Sequence, residues 1–124
     1  MHLPDKLISI IVPALNEENN ISLLWQKIKK NLKDFNYELI FINDGSNDGT
    51  QSIIEKIIEK DKKVKLINLS RNFGHQIAIS CGIDYARGDA AIIMDADLQD
   101  LPELIPAMIE KWQEGFDVVY AVRK

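Results

Sequence analysis

Ala90-Ala91-Ile92-Ile93-Met94-Asp95-Ala96-Asp97 is a run of five apolar residues that ends in two carboxylates one residue apart. A short apolar run with no polar alternation suits a strand covered on both faces, as strands of parallel sheets are. In an extended segment residues i and i+2 share a face, so Asp95 and Asp97 are expected to converge where that strand ends. Hard divalent cations take oxygen ligands, and Mg²⁺ is commonly held by one or two carboxylates together with substrate phosphates. Two solvated aspartates in a turn are the plain alternative, and the rest of the chain decides between them.

Outward from this run, strand-like and helix-like segments alternate. Residues 7–12, 37–42, 64–69, 90–94 and 117–122 read as strands. Between them Ile21, Leu24, Trp25, Ile28 and Leu32 recur at helical spacing, as do Ile53, Ile54, Ile57 and Ile58. A further helix is expected near residues 76–86, closed by Gly88 at the C′ position. Pro102 suits the first turn of a last helix, whose Leu104, Ile105, Met108, Ile109 and Trp112 make one apolar face and which Gly115 ends. This alternation predicts an α/β fold, a mostly parallel sheet with helices on both faces, in one domain spanning residues 1–124.

Composition narrows the function. With 124 residues and a formal net charge of -4 the chain has no electrostatic footprint for nucleic acid. Its local lysines 60, 62, 63 and 65 are interleaved with Glu59 and Asp61 and read as a solvated helix end. The single cysteine, Cys81, excludes an internal disulfide and is expected to be a buried, reduced thiol. Two histidines and one cysteine give no zinc-ligand spacing. No stretch approaches the roughly 20 apolar residues that cross a bilayer, so this chain alone is expected to be soluble. It stops at Arg123-Lys124 directly after an apolar segment and reads as the front part of something longer.

In open α/β sheets ligands bind outside the carboxyl ends of the strands. Pro13, Asn16 and Glu17 follow the first strand, Asp44 and Gly45 the second, and Asp95, Asp97 and Gln99 the fourth. Asn47, Asp48 and Gly49 fit turn roles, and His75 fits a helix cap or a packing role. Asp44 and the Asp95/Asp97 pair fit a nucleotide site in two parts: one carboxylate accepts hydrogen bonds from base or ribose, and the others hold a metal on the diphosphate. The phosphate loops of P-loop and dinucleotide folds are missing from the chain.

Four segments carry a family resemblance: Ile8-Ser9-Ile10-Ile11-Val12-Pro13-Ala14-Leu15-Asn16-Glu17-Glu18-Asn19, Asn43-Asp44-Gly45-Ser46-Asn47-Asp48-Gly49-Thr50, Ser70-Arg71-Asn72-Phe73-Gly74-His75-Gln76 and Met94-Asp95-Ala96-Asp97-Leu98-Gln99-Asp100. In this order they resemble the successive motifs of family 2 glycosyltransferases, and the third and fourth are most similar to the polyprenyl-phosphate branch. The resemblance implies a GT-A nucleotide-sugar fold, Mg²⁺ or Mn²⁺ as cofactor, and inversion at the anomeric carbon. It makes Pro13, Glu17 and Asp44 nucleotide contacts and Asp95, Asp97 and Gln99 the metal and diphosphate site. Arg123 matches a family arginine near the phosphates, so Asp97 and Arg123 are the catalytic candidates. Leu15 stands where the family often has Tyr, and Asn43 where Asp is common.

The implied reaction moves a sugar from a UDP- or GDP-sugar to a polyprenyl phosphate on the cytoplasmic side of a membrane. Membrane contact is expected through residues beyond Lys124, and a homo-oligomer is compatible with it. A phosphate monoester is largely dianionic at neutral pH, so such an acceptor needs no dedicated base. Two alternatives stay open: a family 2 enzyme acting on a saccharide or protein hydroxyl, and a non-catalytic nucleotide- or Mg²⁺-binding α/β module, flavodoxin-like or receiver-like.

Overall fold

The computed structural model describes residues 6–97 and 102–113. Four strands, β1 (Ile8–Ala14), β2 (Tyr37–Asn43), β3 (Val64–Asn68) and β4 (Ala90–Ile93), alternate with α1 (Ile21–Asn31), α2 (Thr50–Lys60) and α3 (His75–Tyr85). A 3₁₀ turn at Pro102–Leu104 then leads into α4 (Ile105–Gln113). All pairings are parallel and the strand order is β3-β2-β1-β4.

Side-chain alternation divides the strands between two cores. Ile8, Ile10, Val12 and Ala14 of β1, with Tyr37, Leu39 and Phe41 of β2, pack against Ile21, Leu24 and Ile28 of α1, Ile54 and Ile57 of α2, and Ile105 and Ile109 of α4. On the opposite face Ile11, Ile40 and Ile42 meet Ala78 of α3. Each fully buried aliphatic side chain of this kind contributes about 1.5–3 kcal/mol. Neither β1 nor β2 leaves a face to solvent, which is why both read as continuous apolar runs.

Strand order creates the site. From β1 through β3 the chain steps outward in one direction, with α1 and α2 on one face. A right-handed return to β4, on the far side of β1, puts α3 on the other face. The direction reverses between β1 and β4, and at that switch point loops diverge and leave a crevice.

Pro13 lies in this central strand although proline cannot donate to a ladder. The β1–β4 pairing stops at Ile11 and Ile93, with a last bond from Met94 N–H to the Ile11 carbonyl. Pro13 therefore sits past the end of β4, where its missing N–H interrupts no ladder bond.

Several expectations need correction. Helix α3 ends at Tyr85 with Ala86 extended, so Gly88 is not its left-handed C′ residue. Gly88 is needed for a close approach instead, since a Cβ there would lie 2.5 Å from Ser9 Oγ and 2.8 Å from the Leu7 carbonyl oxygen. Lys65 belongs to β3 and bonds the buried Glu38, so it is not part of a solvated helix end. Cys81 is half-buried on α3. The expected strand at 117–122 and Gly115 lie outside the described residues.

Candidate functional site

A cleft of about 420 Å³ opens at the switch point. Pro13, Ala14, Leu15 and Glu17 line it from β1 and the following loop, and Asp44 from the end of β2. Asp95, Ala96 and Asp97 line it from beyond β4, and Asn72, Gly74 and His75 from the start of α3. Five of the seven site residues expected from sequence, Pro13, Glu17, Asp44, Asp95 and Asp97, thus share one cavity. Gln99 and Arg123 lie outside the described residues.

The two aspartates come together differently from expectation. β4 ends at Ile93, and Ala96 and Asp97 form a turn, so strand alternation does not place the carboxylates. Met94 and Ala96 are 4% and 2% exposed and pack into the larger core. These apolar anchors pin the turn, and the flanking Asp95 and Asp97 remain half-buried on the cleft wall.

Asp44 is buried, and its two oxygens accept backbone hydrogen bonds from Phe73 (2.8 Å) and Gly74 (3.1 Å). It therefore fastens the loop that precedes α3. Gly45 makes this fit possible: its φ is +77°, and a Cβ there would lie 2.4 Å from the Asn72 backbone nitrogen. Asn72 Oδ1 accepts a second bond from Gly74 N–H at 3.0 Å. On this fixed loop His75 opens α3 and reaches across the cleft, with Nε2 2.9 Å from Asp95 Oδ1. Its side chain is 56% exposed against 25% for Asp95. His75 is thus a residue of the cleft rather than a cap or packing histidine.

The first loop is secured from the second. Asn16, left-handed at φ 55°, accepts from Asn47 N–H at 2.8 Å, and its own N–H donates to Ser46 Oγ. Glu17 N–H donates to Thr50 Oγ1, and Glu17 Oε1 accepts from Asn20 Nδ2. Asp48 behaves as a turn residue. Its slight desolvation is outweighed by bonds from the Thr50 hydroxyl and from the Thr50 and Glu18 N–H groups, which hold its carboxyl below the ordinary aspartate range.

Asn43 is absent from the cleft lining. Its Nδ2 donates to Asn68 Oδ1 (3.0 Å) and its Oδ1 accepts from Ser46 N–H (3.1 Å). The amide supplies a donor and an acceptor at once, which an ionised aspartate cannot do. Leu15 does reach the cleft, 40% exposed, as an aliphatic wall.

Sequence reasoning missed Asn72, Gly74 and His75. The signal was present as a polar loop after the third strand, but its relevance depends on strand order. A loop from the outer strand β3 reaches the switch point because α3 crosses over β2 and β1.

Comparisons with known proteins agree with this fold. The chain is 55% identical over 117 residues to the uncharacterized glycosyltransferase YkcC of Bacillus subtilis, covering 93% of this chain and 36% of that protein. It is 46% identical over 118 residues to the bactoprenol glucosyl transferase of Shigella phage SfV, covering 94% and 38%. It therefore spans a little over a third of the length of these relatives. Among solved structures it resembles glucosyl-3-phosphoglycerate synthase of Mycobacterium tuberculosis in complex with Mn²⁺, UDP and glucosyl-3-phosphoglycerate, with TM-score 0.69 and 25% identity over 87% of this chain and 40% of that one. The parallel sheet with its helices is the N-terminal part of a GT-A fold. The family model Glycosyl transferase family 2 matches residues 9–124, and the chain belongs to that family.

Proposed function

We propose that this domain binds a nucleoside diphosphate sugar together with Mg²⁺ or Mn²⁺. In a protein of its relatives' length, it would transfer the sugar to a polyprenyl phosphate with inversion. The observation that carries this reading is the convergence of Pro13, Glu17, Asp44, Asp95 and Asp97 from three strand ends on one cleft.

The donor set fits a metal that arrives with its nucleotide. Among the described residues no group of three or more His, Cys, Asp and Glu side chains is arranged to hold a cation. Two carboxylates are the protein share expected when diphosphate oxygens complete the shell. Asp95 and Asp97 would hold the ion, which supplies Lewis-acid stabilisation of the departing diphosphate. Pro13, Glu17 and Asp44 would contact the nucleotide beside the aliphatic Leu15, and the roles of Gln99 and Arg123 toward the phosphates rest on the family resemblance alone. The relatives named bactoprenol glucosyl transferases support a polyprenyl phosphate acceptor and action at a membrane, and the cytoplasmic side rests on the family resemblance alone. No helix of the described residues is long and apolar enough to cross a membrane.

A second reading is favoured by His75. A carboxylate partner makes Nε2 the donor, which leaves Nδ1 as an acceptor in the neutral ring. In the cleft such a ring could deprotonate a hydroxyl acceptor, so a missing base does not by itself argue for a phosphate one.

Calorimetry on the chain with UDP and GDP, each with Mn²⁺ or EDTA, tests donor binding. Metal-dependent binding of either nucleotide is expected. Mn²⁺ binding with no effect of nucleotide would reduce the domain to a metal-binding module. Radiolabelled transfer by a protein of the relatives' length, offered polyprenyl phosphate or a soluble saccharide, tests the acceptor. Transfer to the saccharide alone would establish the second reading.

A further inference from the structure

We propose that His75 is a positioning residue for the metal site, holding the Asp95 carboxylate in the orientation that receives the cation. The inference rests on the assignment of Asp95 as a metal ligand and goes beyond it by adding a residue from a different element. An ionised carboxylate only accepts hydrogen bonds, so His75 Nε2 donates to Asp95 Oδ1 across 2.9 Å. A carboxylate offers roughly four lone-pair positions, so a bond from His75 and ligation of a cation are compatible.

His75, the first residue of α3, is held by the loop that leads into it. The segment before it is fastened at three points: both oxygens of the buried Asp44 bond Phe73 and Gly74, Asn72 Oδ1 closes on Gly74, and Gly45 admits the Asn72 backbone within the distance any side chain would block. The Arg71 guanidinium lies 4.4 Å over the Phe73 ring. His75 thereby enters α3 from a fixed origin, and Ala78 and Gly82 fix the helix itself against β1 and β2. Asp95 lies just past β4, between the buried Met94 and Ala96. The bond links two held elements, the start of α3 and the turn after β4, and an outer partner of this kind orients a metal-ligating carboxylate. It also joins the nucleoside side of the cleft to the metal side, from Asp44 through residues 73–75 to Asp95.

The test measures Mn²⁺ affinity by electron paramagnetic resonance on the chain in the presence of saturating UDP, with UDP binding in EDTA measured alongside. Loss of an outer partner of this kind weakens metal binding about 10 to 100-fold, and for His75→Ala the loss of Mn²⁺ affinity is expected to exceed any change in metal-free UDP binding. His75→Gln places an amide nitrogen the same number of bonds from Cβ and should recover most of the affinity. Because His75 is more than half exposed, neither variant should alter the thermal unfolding midpoint, which is recorded as a control. Asp97→Ala separates the two levels of the argument. If it loses Mn²⁺ binding while His75→Ala does not, the positioning role is wrong and the metal site stands. If neither variant changes Mn²⁺ affinity, the metal assignment fails and the proposal falls with it. A loss of transfer with unchanged Mn²⁺ affinity in His75→Ala would make His75 a base instead.

Discussion

Glu38 and Asp44 stand at opposite ends of β2, both buried, at 3% and 4% exposure. They do opposite things. Glu38, at the start of the strand, accepts from Ser9 Oγ (2.6 Å), Lys65 Nζ (2.6 Å) and Arg87 N–H (2.7 Å), and Gly88 N–H in turn donates to Ser9 Oγ. This cluster ties β1, β2, β3 and the approach to β4 together where the strands begin. Burial pushes the Glu38 carboxyl up, and the bonds from Lys65, Ser9 and Arg87 outweigh it, so its pKa lies below the ordinary value of 4.5. Asp44 also accepts backbone bonds, but it faces the cleft where the strands finish. Burial and saturation therefore do not separate a structural carboxylate from a functional one here. Strand direction does, because in this topology loops diverge only at the carboxyl ends.

The largest effect that should sharpen the contrast is at the carboxyl end. Asp97→Ala is expected to abolish the metal dependence of UDP or GDP binding. In a transfer-competent protein it should lower turnover by about 10²–10³-fold, the scale of losing one preorganised electrostatic contact to developing charge. Stability should stay within about 0.5 kcal/mol, as for substitutions outside the core. Unchanged nucleotide binding, with and without EDTA, would break the assignment of this end of the sheet.

Next is the opposite end. Glu38→Ala removes the acceptor of three donors, of which Ser9 is buried, and should cost about 1–3 kcal/mol in urea unfolding, with Lys65 limiting the loss because it is half exposed. UDP affinity should not change. Glu38→Gln adds a pH signature. A carboxyl whose folded pKa is depressed stabilises the fold above its unfolded pKa, and that contribution is lost as pH falls through the folded value. The native chain should therefore lose stability below about pH 4.5 more steeply than Glu38→Gln. Parallel stability curves for the two proteins would show that Glu38 carries no linkage.

Much of this was legible in the sequence. Runs such as Ile8-Ser9-Ile10-Ile11-Val12 and the helical spacing of Ile21, Leu24 and Ile28 report burial directly, and burial follows local pattern. Asp44, Asp95 and Asp97 were legible because each ends an apolar run. His75 and Glu38 were not. His75 joins the site through a crossover whose destination depends on strand order, and Glu38 interrupts an apolar strand in a way that could equally mark an exposed face. The polar partners of Glu38 lie 27 to 49 residues away in sequence, beyond any local pattern.

Asp44 itself gives the third test, smaller because its two roles can be separated. Asp44→Ala should weaken UDP or GDP about tenfold more than it weakens pyrophosphate if the carboxylate meets base or ribose, since each charge-assisted hydrogen bond contributes about 1.5–3 kcal/mol. It should also lower stability by about 1–3 kcal/mol, because the Phe73 and Gly74 N–H groups lose their acceptor. Equal losses for nucleotide and pyrophosphate would move Asp44 to the phosphate side of the cleft.

The smallest effect concerns Asn43, which directly precedes Asp44 yet points away from the cleft. Asn43→Asp keeps an oxygen for the Ser46 N–H bond but sets a second oxygen against Asn68 Oδ1, now 3.0 Å from a donor nitrogen. Asn68 relieves that clash by turning its amide over, so that its nitrogen donates to the new carboxylate. The net cost should be below about 1 kcal/mol, and affinity for UDP with Mn²⁺ should be unchanged. Asn68→Asp alone is the mirror case and should be equally mild, because Asn43 already donates to that position. Joining the two substitutions removes every donor from the pair and faces two carboxylates across adjacent strands. The double variant should therefore lose more than the sum of the singles, a coupling of about 0.5–3 kcal/mol in a double-mutant cycle. Additive losses would mean that the Asn43–Asn68 bond does not hold the ends of β2 and β3 together. A fall in UDP affinity in Asn43→Asp alone would mean that position 43 belongs to the cleft after all.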